Sequence, residues 1–174
     1  MLIQREAPGQ ADAVQAVTVA AFGGTGRDRP PVEADLVDAL RAGGAWLPAL
    51  SLVALDSGGV VGHVLCTRAR VERAEVLALG PLSVHPGHQR RGVGSALVHA
   101  VLGAADALDE PLVVLLGDPR YYGRFGFRLA GEYGITPPVP AWRPDFQART
   151  LTSYRSSLRG RFAYPEAYDQ VSRG

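Results

Sequence analysis

Apolar residues recur along this chain with two periods, and the alternation between them predicts the elements. Residues 2–5 alternate as a short strand that Pro8 and Gly9 end. From Asp12 the spacing changes, and Val14, Val17, Ala21 and Phe22 fall at helical intervals. Gly23, Gly24, Thr25 and Gly26, with Pro30 and Pro31, read as a connector; it follows a helix, so it is not a phosphate loop. Residues 33–41 carry Leu36, Val37 and Leu40 and form a second short helix, ended by Gly43 and Gly44. Two β-branched apolar runs, 51–55 and 60–67, are joined by Asp56-Ser57-Gly58-Gly59, a hairpin signal. Residues 68–73 read as a charged turn and 75–84 as the next strand. Residues 93–108 form the longest helix, with Val93, Leu97, Val101, Ala104 and Leu108 on one face. The five consecutive Val and Leu residues of 112–116 describe a buried strand. Strand, helix and strand in this order predict a parallel pair with the helix as crossover. Past Gly131, the run Thr136-Pro137-Pro138-Val139-Pro140 excludes helix and central strand, 145–152 reads as a strand, and 161–168 as a short terminal element.

Composition narrows the class without naming it. A length of 174 residues, 47% apolar and 20% charged, is one domain's worth of chain (1–174, core 2–130), with strands and a substrate-side loop in 131–174. A net charge of +1 gives no general attraction to nucleic acid or anionic membrane, and the cationic residues are all arginine. The single cysteine, Cys66, forbids an internal disulfide and fits a reducing compartment. The N-terminus shows no signal-peptide pattern and no apolar run reaches the length of a membrane helix, so a cytoplasmic protein without membrane or nucleic-acid partners is expected. His63 and Cys66 lie inside apolar strand patterns and are expected to pack.

The stretch from Val76 to Leu97 carries the chemistry. An apolar strand crosses Gly80-Pro81, leaves through Val84-His85-Pro86-Gly87, and meets a helix start at Gln89-Arg90-Arg91-Gly92-Val93-Gly94-Ser95. The first turn of a helix has unpaired N–H groups and the positive end of its dipole, and glycines let a ligand approach the main chain, so a phosphate or pyrophosphate belongs here. Arg90 and Arg91 add charge-assisted bonds to phosphate. A Walker loop is excluded because Val93 and Gly94 stand where Lys and Ser/Thr are needed; a dinucleotide fingerprint fails at Leu97. Pro81 cannot donate to a ladder, so Gly80-Pro81 predicts a bulge that frees main-chain groups of Leu82, Ser83 and Val84. Further on, Gly117-Asp118-Pro119-Arg120-Tyr121-Tyr122-Gly123-Arg124-Phe125-Gly126-Phe127 describes a short helix capped by Asp118 and closed by Gly126.

The Q-x-x-G-x-G loop after a strand and a V-x-P turn resembles the acetyl-coenzyme A pyrophosphate loop of the GNAT N-acetyltransferase superfamily. The Y-x-x-x-G-F ending at Phe127 resembles its second signature, and the fuller G-D-P-x-Y-Y-x-R-F-G-F string is similar to a bacterial subgroup of acetyltransferases. The resemblance covers residues 52–129 well and the ends loosely. It implies an α/β (α+β) fold: a central, mostly antiparallel sheet, a parallel pair splayed at the cofactor site, and flanking helices. It implies acetyl-coenzyme A as cosubstrate, held by Leu82, Ser83, Val84, Gln89, Arg90, Arg91, Gly92, Val93, Gly94 and Ser95, with the pantetheine arm pairing to the broken strand. It implies transfer to a primary amine, small molecule or peptide, by direct attack in a ternary complex, and leaves a homodimer open.

Acyl transfer needs an oxyanion donor, which a free N–H near Leu82 supplies, and a proton for the leaving thiolate. Tyr122 matches the family's tyrosine general acid, with Tyr121 the weaker candidate. The base is the departure from the pattern. Ala78 occupies the position of the glutamate that many relatives carry on this strand, and Glu75 is the nearest acid, three residues away and on the opposite face unless the bulge shifts the register. Ser83 and His85 are candidates for a water relay. His85 and His88 lack the further ligands of a metal site. Tyr133 and Trp142 either wall the acceptor pocket or cap the core. The missing glutamate also keeps open a coenzyme A-binding sensor or scaffold without turnover, and an unrelated nucleotide-binding fold remains a further alternative.

Overall fold

The computed structural model describes residues 1–23 and 30–172; most of the glycine connector before Pro30 lies outside them. Among the described residues nine strands join in one sheet: β1 (Leu2–Arg5), β2 (Ser51–Asp56), β3 (Gly59–Val71), β4 (Ala74–Val84), β5 (Leu112–Leu116), β6 (Arg128–Leu129), β7 (Ile135–Thr136), β8 (Phe146–Thr150) and β9 (Gly160–Ala163). The main path runs β1-β2-β3-β4-β5-β8-β6, with β9 pairing both β3 and β7. Five helices cover it: α1 (Ala11–Phe22), α2 (Val32–Ala42), α3 (Val93–Ala107), α4 (Pro119–Tyr122) and α5 (Glu166–Ser172). Pairing is antiparallel except for β4 with β5, bridged by α3 as the sequence pattern predicts, and the short β7 with β9.

Alternation along the strands divides the core. Leu52, Ala54, Val64, Cys66, Leu77 and Leu79 meet α3 through Val93, Leu97, Val101 and Ala105. The opposite face sends Val53 and Leu65 against Val14 of α1, Val37 and Leu40 of α2, and Ala167 of α5. The same face continues through Val76 and Ala78 to Phe146, Ile135 and Phe162. Leu108, expected on the buried face of α3, is instead 51% exposed, because the helix ends at Ala107 and the chain turns away.

Two expected boundaries move. Residues 68–71 are not a charged turn: β3 runs on through Val71, with Ala69 and Val71 buried and Arg68 and Arg70 alternating against them. Charge masks the period of two there, since Arg68 makes a two-pronged salt bridge to Glu110, with both N–O distances 2.7 Å. The terminal element of 161–168 is two elements, because Pro165 ends β9 and precedes α5.

His63 and Cys66 are both buried, and burial pushes the Cys66 thiol up, away from reactivity. His63 belongs to a polar cluster beneath α2. Ser51 donates to Glu6 at 2.6 Å and lies 2.9 Å from His63 Nε2, and Arg41 of α2 closes on the other Glu6 oxygen. Burial alone raises the Glu6 pKa, but the neighbouring His63, with hydrogen bonds from Ser51 and Arg41, holds it down to about 2. Burial holds His63 below its ordinary value against the pull of Glu6. Both folded-state values lie below the unfolded ones, so the unfolded chain binds protons first and stability falls with pH. The thermal midpoint is therefore expected to drop from about pH 6.5 downward, with the Glu6 contribution lost below about pH 4.5. In calorimetry, Glu6→Gln should lower the midpoint at neutral pH and flatten its acid dependence. Identical pH profiles for the two proteins would contradict this account.

Candidate active site

The site begins where β4 changes partners. Opposite Leu65 of β3, β4 carries both Gly80 and Pro81, so the register slips by one residue between Val64↔Leu82 and Cys66↔Leu79. The Gly80-Pro81 peptide is cis and Gly80 has φ 136°. Pairing of β4 with β5 is confined to Leu77↔Val113 and Ala78↔Val114, so beyond Ala78 the two parallel strands separate. The β3 side stays paired as far as His85, whose N–H donates to the Val61 carbonyl at 2.9 Å. Alternation of an antiparallel ladder then turns the main-chain groups of Ser83 toward β3 and those of Leu82 and Val84 toward the gap. The Val84 carbonyl accepts from Gln89 Nε2 at 3.0 Å, which fixes the loop to the strand end.

The loop reaches α3 through two left-handed residues, Arg90 at φ 58° and Gly92 at φ 84°. Gly92 is the N-cap of α3 and supplies no side-chain cap, and the first helical bond runs from Ala96 N–H to its carbonyl. The N–H groups of Val93, Gly94 and Ser95 are therefore free of helical partners. The space at the Gly92 Cα is open, and Arg90 and Arg91 are solvent-exposed beside it. Gly94 is different: a Cβ there would come within 2.8 Å of the Tyr121 hydroxyl, so its glycine accommodates a packed side chain. The open side of this turn presents unpaired N–H groups, a setting suited to an anion, with two arginines adjacent in sequence.

Across the gap, Asp118 accepts from the Arg120 N–H at 2.9 Å and starts α4. Tyr122, at the end of α4, packs against Gly117, just past the end of β5. A Cβ on Gly117 would sit 2.5 Å from its ring, so glycine is required there. The ring also packs edge-on with Tyr121 at 4.9 Å and Phe127 at 5.8 Å. Burial, with the neighbouring Tyr121, pushes the Tyr122 pKa up to about 12, so the phenol keeps its proton at neutral pH.

Tyr122, Leu82 and Pro81 open onto a cavity of about 380 Å³. Its outer walls are Phe22 of α1, Glu33 and Leu36 of α2, and the rings of Trp142, Tyr164 and Tyr168. Tyr168 donates to the Gly80 carbonyl at 3.3 Å, tying α5 to the strand break. Trp142 thus walls the cavity, while Tyr133 packs against Tyr154 at 5.9 Å and caps the core.

Several candidate residues lie elsewhere. Glu75 is at the far end of β4, opposite Arg70 in register and 63% exposed, 3.8 Å from Arg68, and it does not line the cavity. Ser83 is fully buried and its hydroxyl donates to Thr18 of α1 at 3.1 Å, which removes it from both the gap and a water relay. His85 accepts from the Gly87 N–H at 3.2 Å in the exposed loop and is also outside the cavity. Ala78 is fully buried in the core. His88 lies 3.7 Å from Asp56, and no three His, Cys, Asp or Glu side chains group as metal ligands among the described residues. Glu33, Tyr164 and Tyr168 are the site residues that sequence reasoning missed. The only local signal for Glu33 is its spacing of three from Leu36, which puts both on one side of α2.

Residues 48–129 match a family model described as an acetyltransferase (GNAT) domain. The uncharacterized N-acetyltransferase YjhQ of Escherichia coli K12 is 36% identical over 136 residues, covering 74% of this chain and 75% of its own. YhbS, another uncharacterized N-acetyltransferase of that organism, is 30% identical over 176 residues, 99% of both chains. The crystal structure of Escherichia coli YhbS in complex with CoA matches with a TM-score of 0.86, covering 97% of this chain and 91% of that one. A GNAT family acetyltransferase from Brucella melitensis in complex with acetyl-CoA matches with a TM-score of 0.78 at 34% identity, covering 97% of both.

The anion site is testable with inorganic pyrophosphate alone. Ligand that binds only the folded chain raises its thermal midpoint. Pyrophosphate is expected to stabilise the protein, and the double variant Arg90→Ala, Arg91→Ala several-fold less at equal concentration. Equal stabilisation of both would contradict the placement.

Proposed function

The chain belongs to the GNAT acetyltransferase family and is an acetyl-coenzyme A-dependent N-acetyltransferase; from that premise we propose a direct transfer at the β4–β5 gap. The diphosphate of the cosubstrate lies on the first turn of α3, held by N–H groups of Val93, Gly94 and Ser95 and by Arg90 and Arg91. Its pantetheine amides pair with Leu82 and Val84 in the place that β5 vacates. The cosubstrate supplies an activated acetyl group as a thioester. The Leu82 N–H receives charge developing on the carbonyl oxygen, and a primary amine attacks from the cavity side within a ternary complex.

The observation that carries this reading is the position of Tyr122. It stands at the end of β5, across the opening from Leu82, on the wall of the cavity that reaches the broken strand. A phenol that holds its proton up to about pH 12 is a donor, suited to the thiolate that leaves. The one continuous sheet supports reading 1–174 as a single transferase domain. The inert, buried Cys66 fits a cytoplasmic setting, and among the described residues no helix is long and apolar enough to cross a membrane.

Thiol release from acetyl-coenzyme A in the presence of amines tests the proposal. Tyr122→Phe is expected to lower kcat by about 10²-fold or more while leaving the acetyl-coenzyme A KM within a few-fold, since proton donation acts on the leaving step. Undiminished turnover in Tyr122→Phe would remove the tyrosine from its role. Coenzyme A binding without amine-dependent thiol release would contradict transfer itself.

A further inference from the structure

The cavity beyond Tyr122 carries a charge pattern of its own. Among the described residues its lining includes no arginine and no histidine, and Glu33 is the one carboxylate. The other acids of α2 are occupied or turned away: Asp38 accepts from Gln15 at 2.8 Å, and Asp35 faces solvent. Glu33 is half-buried, beside Leu36, and makes no hydrogen bond or ion pair among the described residues. The wall formed by the C-terminal segment is aromatic. Trp142 meets Tyr164 edge-on at 6.2 Å, and Tyr164 meets Tyr168 at 4.3 Å.

A lone carboxylate in an otherwise apolar and aromatic cavity selects for a cation. About 380 Å³ is the volume of a small-molecule site. Resting on the transferase reading above, we propose that Glu33 receives the ammonium group of the acceptor and takes its first proton, and that the acceptor is a small cationic amine with an apolar or planar carbon body. The ammonium proton passes to the Glu33 carboxylate and from there to water. The freed nitrogen forms the N–C bond as the C–S bond breaks, the leaving sulfur takes the Tyr122 proton, and the phenolate recovers one from the amide nitrogen. The aromatic wall takes the carbon body of the acceptor, and an amine bearing its own carboxylate is repelled by Glu33. Among the described residues, the other titratable groups on the cavity are the phenols of Tyr122, Tyr164 and Tyr168, all raised by burial and uncharged near neutral pH.

The test compares wild type, Glu33→Gln, Glu33→Asp and the solvent-facing control Asp35→Asn, with 2-phenylethylamine, tryptamine and glutamate as acceptors. Glu33→Gln is expected to lose about 10²-fold in kcat/KM for the amine at neutral pH, with the acetyl-coenzyme A KM unchanged. Glu33→Asp should recover part of that loss, and Asp35→Asn should match wild type. The Gln deficit should shrink as pH approaches the acceptor's own pKa, because the amine then arrives deprotonated; a merely structural defect would not recover this way. Wild type should use the arylalkylamines far better than glutamate. Turnover of Glu33→Gln within twofold of wild type overturns the role of Glu33, and a preference for glutamate overturns the acceptor class. If wild type binds acetyl-coenzyme A yet releases no thiol with any amine, the transferase reading itself fails and this assignment falls with it.

Discussion

A strand in the middle of a sheet holds two neighbours only while both run alongside it, and β4 gives up one of them. Gly80 and Pro81 insert an extra residue against Leu65, the ladder to β3 absorbs it and continues, and the parallel ladder to β5 stops at Ala78. Everything functional follows from that asymmetry. The retained ladder keeps β4 rigid up to His85, so the loop that follows and the N-terminus of α3 have fixed positions. The lost ladder leaves Leu82 and Val84 facing a gap. Tyr122 is pinned over Gly117 at the end of the departing strand and so stands on the far bank of the same gap.

The acceptor side depends on a second arrangement, in which helices are fastened to the sheet by polar contacts as well as packing. Arg41 at the end of α2 bonds Glu6, which also accepts from Ser51, itself bonded to His63 on the sheet, and Gln15 of α1 bonds Asp38. These contacts set the rotation of α2 together with buried Ala34, Val37 and Leu40, leaving Glu33 and Leu36 on the cavity side. Removing one partner of this part-buried cluster leaves the remaining charge uncompensated and weakens the anchorage of the helix that carries Glu33. From the other direction, Tyr168 reaches the Gly80 carbonyl, so the C-terminal helix closes the cavity against the strand break itself.

Local signals along the chain were sufficient for the parts of this site that are contiguous in sequence. The hairpin, the Gly80-Pro81 bulge, the crossover helix and the capped turn at Asp118 each follow from residue types whose backbone preferences are strong, and the structure has them at those positions. What could not be read concerns which residues meet across the fold. A bulge taken from sequence alone frees Leu82, Ser83 and Val84 alike, whereas the surviving ladder frees every second residue and keeps Ser83 bonded to β3. The Arg68 to Val71 stretch passed for a turn because its partner Glu110 lies 42 residues away. Ala78 leaves β4 without a carboxylate at that position, and the nearest acid along the same strand, Glu75, lies at its far end. The acid that faces the cavity belongs to α2, and no spacing in the chain links Glu33 to Tyr122, Trp142 or Tyr168.

The most direct measurement of the central claim is amide hydrogen exchange at residue resolution, with and without acetyl-coenzyme A. Main-chain pairing to the opened strand should slow exchange at Leu82 and Val84, and diphosphate binding should slow it at Val93, Gly94 and Ser95, while Ser83, already bonded to β3, changes little. Slowing confined to other parts of the molecule, with Leu82, Val84 and the first turn of α3 unaffected, would contradict the account.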